Sequence, residues 1–111
     1  MIDDAMHGPW MQWHSNGNIR SQGSYNHGRE EGPWSFWYAD GQKEMEGKYV
    51  DGQPVGVWTN WYPDGQKEME GPYVDGQMDG VWNTWNQRGE LRKREFHHGV
   101  PVITEESAEP L

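Results

Sequence analysis

Residues 32–55 read GPWSFWYADGQKEMEGKYVDGQPV and residues 56–79 read GVWTNWYPDGQKEMEGPYVDGQMD, two 24-residue strings that align without a gap. The same unit extends in both directions. Gly8, Gly32, Gly56 and Gly80 open four copies. Trp10, Trp34, Trp58 and Trp82 follow two residues later, and Trp13, Trp37, Trp61 and Trp85 three residues after those. These two positions hold all eight tryptophans of the 111-residue chain. A fixed period of this length predicts a stacked-repeat architecture, in which a unit too small to bury its own apolar face shelters it against its neighbours.

Each unit carries two turn signals. The first is Asn16-Gly17, Asp40-Gly41, Asp64-Gly65 and Arg88-Gly89; the second is His27-Gly28, Asp51-Gly52, Asp75-Gly76 and His98-Gly99. Such dipeptides mark tight reversals that need positive φ. The segments between them are short and aromatic, and a helix there would carry a glycine every few residues at about 1 kcal/mol each. The pattern therefore predicts an all-β fold of about eight strands, near residues 9–15, 19–26, 33–39, 43–50, 57–62, 67–74, 81–87 and 91–97, joined in order as an antiparallel meander. One residue is missing from the last unit, between Gly89 and Phe96.

Strict alternation assigns faces. In the third unit Trp58, Asn60 and Tyr62 point one way, and Val57, Thr59 and Trp61 the other. On the return strand Lys67, Met69, Gly71 and Tyr73 share a face, leaving Glu68, Glu70, Pro72 and Val74 opposite, with both glutamates in water. The expected core is Trp10, Trp34, Trp58, Trp82, Tyr25, Tyr49, Tyr73 and Phe96, with Met69 contributing. Gly23, Gly47 and Gly71 are expected to make room for a ring lying over the backbone. Pro72, which stands where the previous unit has Lys48, predicts a bulge or irregular pairing nearby.

Composition agrees with a thin aromatic core in a single domain. Leucine occurs only at 91 and 111 and isoleucine only at 2, 19 and 103, with mean hydropathy −1.14 and net charge −9. Such values ordinarily accompany disorder. The 14% aromatic content opposes that, because each ring buries a large area. The absence of cysteine excludes disulfides and thiolate metal sites. No apolar run approaches the ~20 residues of a membrane span, and MIDDAMHGPW lacks the basic and apolar regions of a signal peptide, so a cytoplasmic location is expected. The acidic balance disfavours nucleic acid and anionic membranes as partners. The organisation expected is an arm at 1–7, units at 8–31, 32–55, 56–79 and 80–99, and an acidic tail at 100–111.

The unit G-x-W-x-x-W-(Y)-x-D-G-x-x-x-x-x-G-x-Y-x-x-G-x-x-x-G resembles the MORN repeat, in the bacterial variant found in YwqK-family antitoxin-like proteins. The matching residues run from Gly8 to Gly99. The resemblance implies an elongated, twisted sheet or solenoid of hairpins that serves as an interaction module, with a protein partner or a second copy capping an exposed end strand.

The candidate partner-binding residues are the second tryptophan series, Trp13, Trp37, Trp61 and Trp85, with Tyr38 and Tyr62 nearby. Equivalent strands lie about 10 Å apart, so these rings would form a long row opposite the first series. A bulge between the two tryptophans of each unit would instead turn both inward, and a sheet that curls would bury both faces. The basic run Arg88, Arg92, Lys93 and Arg94 suits an acidic partner, or equally the protection of an end strand by charge. Glu44/Glu46 and Glu68/Glu70 offer paired carboxylates, but they recur identically on a strand with no cleft and read as a solvated face. The aspartates and His27 and His98 read as turn residues, and His97-His98 as at most a weak metal pair. No catalytic motif, cofactor loop or metal spacing is present. The expected function is therefore non-catalytic scaffolding or protein binding, with no cofactor. Antitoxin-like inhibition, carbohydrate binding and, least favoured by charge, lipid binding stand as alternatives.

Overall fold

Two kinds of tight turn, repeated in alternation, fold the chain into one sheet. The computed structural model describes residues 6–102; Met1–Ala5 of the expected arm and Ile103–Leu111 of the expected tail lie outside the described residues. The strands are β1 (Gly8–Trp13), β2 (Ile19–Asn26), β3 (Arg29–Glu30), β4 (Gly32–Trp37), β5 (Lys43–Val50), β6 (Gln53–Trp61), β7 (Lys67–Val74), β8 (Gln77–Met78), β9 (Gly80–Trp85), β10 (Leu91–His97) and β11 (Val100–Pro101). They form a single open antiparallel sheet in the order β1-β2-β4-β5-β6-β7-β9-β10-β11, with β3 paired to β2 and β8 to β7. The molecule measures 55 × 35 × 19 Å, and its radius of gyration of 16.5 Å exceeds the roughly 13 Å of a compact domain this size.

The first turn of each unit is a three-residue loop closed by a left-handed glycine. At Tyr38 the backbone N–H donates to Gln42 O (2.8 Å), while Gly41, at φ +93°, donates back to Tyr38 O (3.0 Å). The Asp40 carboxylate accepts from Gln42 N at 3.0 Å and stiffens the reversal. The second turn has two residues, both left-handed: φ is +52° at Asp51 and +81° at Gly52. That pair of angles defines the type I′ hairpin, whose twist matches that of the flanking strands. It explains β3, β8 and β11, which pair back across this turn for two residues each and were not expected from sequence. After the turn of the second unit the same two residues run straight on into the third, so that β6 starts at Gln53.

A β-bulge breaks strict alternation in the first three hairpins. Phe36 faces Met45 but Trp37 faces Lys43, leaving Glu44 as the extra residue; Arg20 and Glu68 hold the same place in their units. Lys67 thus lies on the face of Glu70, not on that of Met69, which corrects the expected assignment. Glu70 is half-buried, accepting from the Thr59 hydroxyl at 2.7 Å, and only Glu68 is exposed. In the last hairpin Trp85 faces Leu91 and Thr84 faces Arg92 without a skip. The residue missing from that unit is the bulge.

The core is one indole per seam between units. Trp34, Trp58 and Trp82 are 3%, 4% and 2% exposed and are the only buried apolar side chains among the described residues. Each lies flat over the glycine of the preceding unit, Trp34 over Gly23, Trp58 over Gly47 and Trp82 over Gly71. Each also donates its indole N–H to the next carbonyl along: Ser24 O (3.0 Å), Lys48 O (3.2 Å) and Pro72 O (2.9 Å). Rings alternate across the sheet, with Tyr25, Tyr49 and Tyr73 meeting the following indole edge-on at 5.1, 4.9 and 5.0 Å. Burying one such ring contributes about 4–6 kcal/mol before entropy is subtracted. Tyr25, Tyr49, Tyr73, Phe96 and Met69, expected in the core, are only half-buried, because they flank the indoles in a sheet with nothing among the described residues packed over it; Trp10 is half-buried because no unit precedes its hairpin among them.

The indole crossing, not proline, interrupts the ladder between units. Strand β7 pairs with β9 only at Met69 and Glu70, and β2 with β4 only at Ser21 and Gln22, although Ser24 stands where β7 has Pro72. In both seams the carbonyl beyond the gap is taken by an indole N–H. Pro72 itself sits in an unbroken stretch of hairpin, facing Val57.

Candidate functional site

The register divides the side chains between two unlike faces. One carries the aromatic core: Trp10, Trp34, Trp58 and Trp82 with the glycines and tyrosines they contact. The second tryptophan series lies on the other face, since the bulge falls in the return strand and leaves Trp34 and Trp37 on opposite sides. Trp13 is 55% exposed; Trp37, Trp61 and Trp85 are half-buried by their surroundings. The Lys43 ammonium sits 5.4 Å over the Trp37 ring.

This second face collects apolar groups that the core does not use. By alternation along the strands Met11, Val50, Val57, Val74, Val81 and Leu91 all point to it, with exposures from 38% to 62%. Between the valines and the tryptophans runs a polar row of cross-strand neighbours: Gln22, Ser35, Glu46, Thr59, Glu70 and Asn83. Glu46 pairs with Lys43 at 2.8 Å and Glu70 with Lys67 at 3.2 Å. Thr59 is buried, and Asn83 Oδ1 is a buried acceptor without a hydrogen bond. Alternation already placed Thr59 and Glu70 on this face; what it missed was that their partners across the strands line them into one row, with Lys67 brought to the same side by the bulge.

Tyr38 and Tyr62 act as ties between units. Tyr38 donates its hydroxyl to Trp61 O and Tyr62 to Trp85 O, each at 2.6 Å, and His14 Nε2 meets Trp37 O at 2.8 Å in the same slot. Burial, with Glu44, Glu68 and Asp40 nearby, pushes the Tyr38 hydroxyl up from its ordinary pKa, so it remains a donor at neutral pH. A 23-residue separation between donor and acceptor was the sequence signal, one short of the repeat.

The basic run does not form one patch. Arg92 and Arg94 share the core face with Thr84 and Trp82, Lys93 falls on the face of Trp85, and Arg88 sits in the turn beside Glu90 at 4.0 Å. Arg92 and Arg94 line a cleft of about 420 Å³ together with Tyr62, Thr84, Trp85 and Leu91. His27 and His98 occupy left-handed turn positions at φ +52° and +50°, as the turn reading expects. Among the described residues no three His, Asp or Glu side chains gather as metal ligands, and no helix is long and apolar enough to cross a membrane.

An open, one-layer sheet of repeated hairpins belongs to the class of extended repeat proteins, in which each unit contacts only its neighbours. The MORN repeat variant family matches residues 6–27, 30–51 and 54–75, more than half of the chain. The chain belongs to that family. The match begins each unit two residues before the glycine and ends in the type I′ turn, and it does not extend to the fourth hairpin. That hairpin lacks the bulge and carries Arg92 and Arg94 where the third has Met69 and Gly71. MORN repeats are not catalytic in general and are thought to mediate interactions with proteins or membrane lipids. No curated protein matches the chain.

Proposed function

We propose that this chain is a non-catalytic protein-interaction module that docks a partner along the face bearing Trp13, Trp37, Trp61 and Trp85. One observation carries the reading: the exposed large apolar side chains of β1 to β10 collect on the face opposite the core. A monomer with a core this thin gains nothing by leaving that many apolar groups in water, and such a patch, rimmed by Glu and Lys, has the composition of a protein-binding surface. The lysine–glutamate pairs along the polar row supply register for a partner strand or helix. A net charge of −9 works against anionic lipid as the ligand.

The test is affinity capture from native lysate with identification by mass spectrometry, repeated with Trp37→Ala and Trp61→Ala together. A protein retained by the wild type and released by a double variant with native circular dichroism supports the reading. Capture indifferent to both substitutions overturns it.

The polar row beside rings about 10 Å apart also favours a carbohydrate chain, since sugar rings stack on indoles and their hydroxyls need such partners. Quenching or enhancement of tryptophan fluorescence by a glycan panel separates the two ligands. Neutralisation of a toxin is the form that protein binding takes in the antitoxin-like reading; growth rescue on co-expression with a candidate toxin tests it. A bacterial source, a YwqK-like affinity and a cytoplasmic setting belong with that reading.

A further inference from the structure

The two ends of the sheet are chemically unequal. At every internal seam an indole enters a site of fixed chemistry: a glycine whose missing Cβ leaves room for the ring, a carbonyl one residue on that accepts the indole N–H, and a tyrosine two residues on that meets it edge-on. Gly71, Pro72 and Tyr73 receive Trp82 in this way, and the seams of Trp34 and Trp58 repeat it.

In the last hairpin the residue facing Trp82 is Arg94, the place that Gly71 holds opposite Trp58. A Cβ built on Gly71 would fall inside the Trp82 ring. The Cβ of Arg94 therefore stands where a further indole would have to lie, and this edge has no site for one. At the other end Trp10 is half-buried against Tyr25, at 5.6 Å, and has no preceding unit among the described residues. Its indole N–H lacks the carbonyl that the other three use.

We infer that β1, whose outer edge no described residue covers, is a receptor for an antiparallel strand from another polypeptide, one carrying glycine followed two residues later by tyrosine or phenylalanine, while Arg94 closes the opposite end. Three seams inside the molecule show what covers this surface, so the occupant's chemistry is specified by continuity with them. A second copy stacked head to tail cannot supply it, because the strand at its far end carries Arg94, and one meeting β1 with its own β1 brings Trp10 rather than glycine. The edge is separate from the broad tryptophan face, and a protein altered at Trp37 and Trp61 tests that face while leaving the edge intact.

The probe is a synthetic peptide with the sequence of residues 67–74, KEMEGPYV, titrated into the full chain and followed by NMR. The expected result is a shift of the Trp10 indole N–H and of the Gly8–Trp13 amides, with the Gly71→Val peptide about tenfold weaker or worse. Trp61→Ala in the protein leaves the binding unchanged. In a second arm, Arg92→Met with Arg94→Gly in the full chain produces species that grow with concentration in sedimentation velocity, and adding Trp10→Ala abolishes the growth. Peptide binding indifferent to Gly71→Val overturns the inference, as does absence of binding. So does a wild-type dimer held through Trp10, which would make a second copy the occupant. A double-arginine variant that keeps the wild-type size at all concentrations refutes the closed end.

Discussion

The indole of Trp58 rests on the backbone of Gly47, with no room between them for even a methyl group. Gly47 lies outside the left-handed region, so its necessity is steric rather than conformational. Gly47→Val is expected to lower unfolding free energy by about 1–3 kcal/mol or more, as overpacking does. Urea denaturation measures it, and the same change at Arg94, where no ring lies, should leave the midpoint unmoved.

Truncating the rings should reveal the ends of the array. Trp58→Ala removes a side chain that is 4% exposed and should cost about 3–5 kcal/mol. Trp10→Ala, at a half-buried edge position, should cost well under half as much. Equal losses in thermal denaturation would contradict the description of Trp10 as an unfilled seam.

Tyr38→Phe and Tyr62→Phe each delete one hydroxyl donated to the next unit's backbone at 2.6 Å. Each should cost about 0.5–1.5 kcal/mol. Hydrogen exchange should accelerate on both sides of the affected seam rather than within one hairpin, which distinguishes a tie between units from a surface tyrosine.

Stability should fall at both extremes of pH for different reasons. The Thr59 hydroxyl holds the Glu70 carboxyl below its ordinary pKa, with Lys67 assisting and burial opposing. A carboxyl more acidic in the folded state gives stability that is complete above the unfolded pKa and is lost as pH falls through the folded one. Burial raises the Tyr49 and Tyr73 hydroxyls, with Glu30 adding at Tyr49. Their contribution is complete below about pH 10 and is lost as pH rises through the folded value. Thr59→Val should flatten the acid limb of a plot of melting temperature against pH, and Tyr73→Phe the alkaline limb.

The type I′ turns offer the cleanest local test. Asp51 holds φ +52°, a region costly for a side chain branched at Cβ. Asp51→Val should destabilise by about 1–2 kcal/mol and Asp51→Gly by much less. Calorimetry on the two variants orders them directly.

Much of the fold was legible because glycine and tryptophan recur at fixed places for separate physical reasons. Asp51-Gly52 announces a left-handed turn, and Gly47 with Trp58 announces a ring over bare backbone. The eight long strands accordingly fall within a few residues of expectation. The opposite orientation of Trp34 and Trp37 was left open by the sequence, because a bulge between them would have turned both inward; the bulge falls instead in the return strand. Its place there was not legible. Glu44 and Glu68 look like ordinary alternating residues, and the one hint, the residue missing before Phe96, sits in the hairpin that has no bulge. The two-residue strands escaped for a related reason, being too short for any alternation to show. Tyr38 and Tyr62 drew attention as aromatic neighbours of the tryptophan row, whereas their hydroxyls answer to a backbone carbonyl 23 residues away.

Because each seam holds a single buried indole and every hairpin touches only the hairpins beside it, the protein is built in series, like links rather than a ball. A lesion at Trp58 cuts it into two short halves, each keeping one intact joint. Damage at either tip shortens the assembly without severing it. Tolerance to substitution should therefore rise from the middle outward, a gradient set by position along the row and not by the chemistry of the residue replaced.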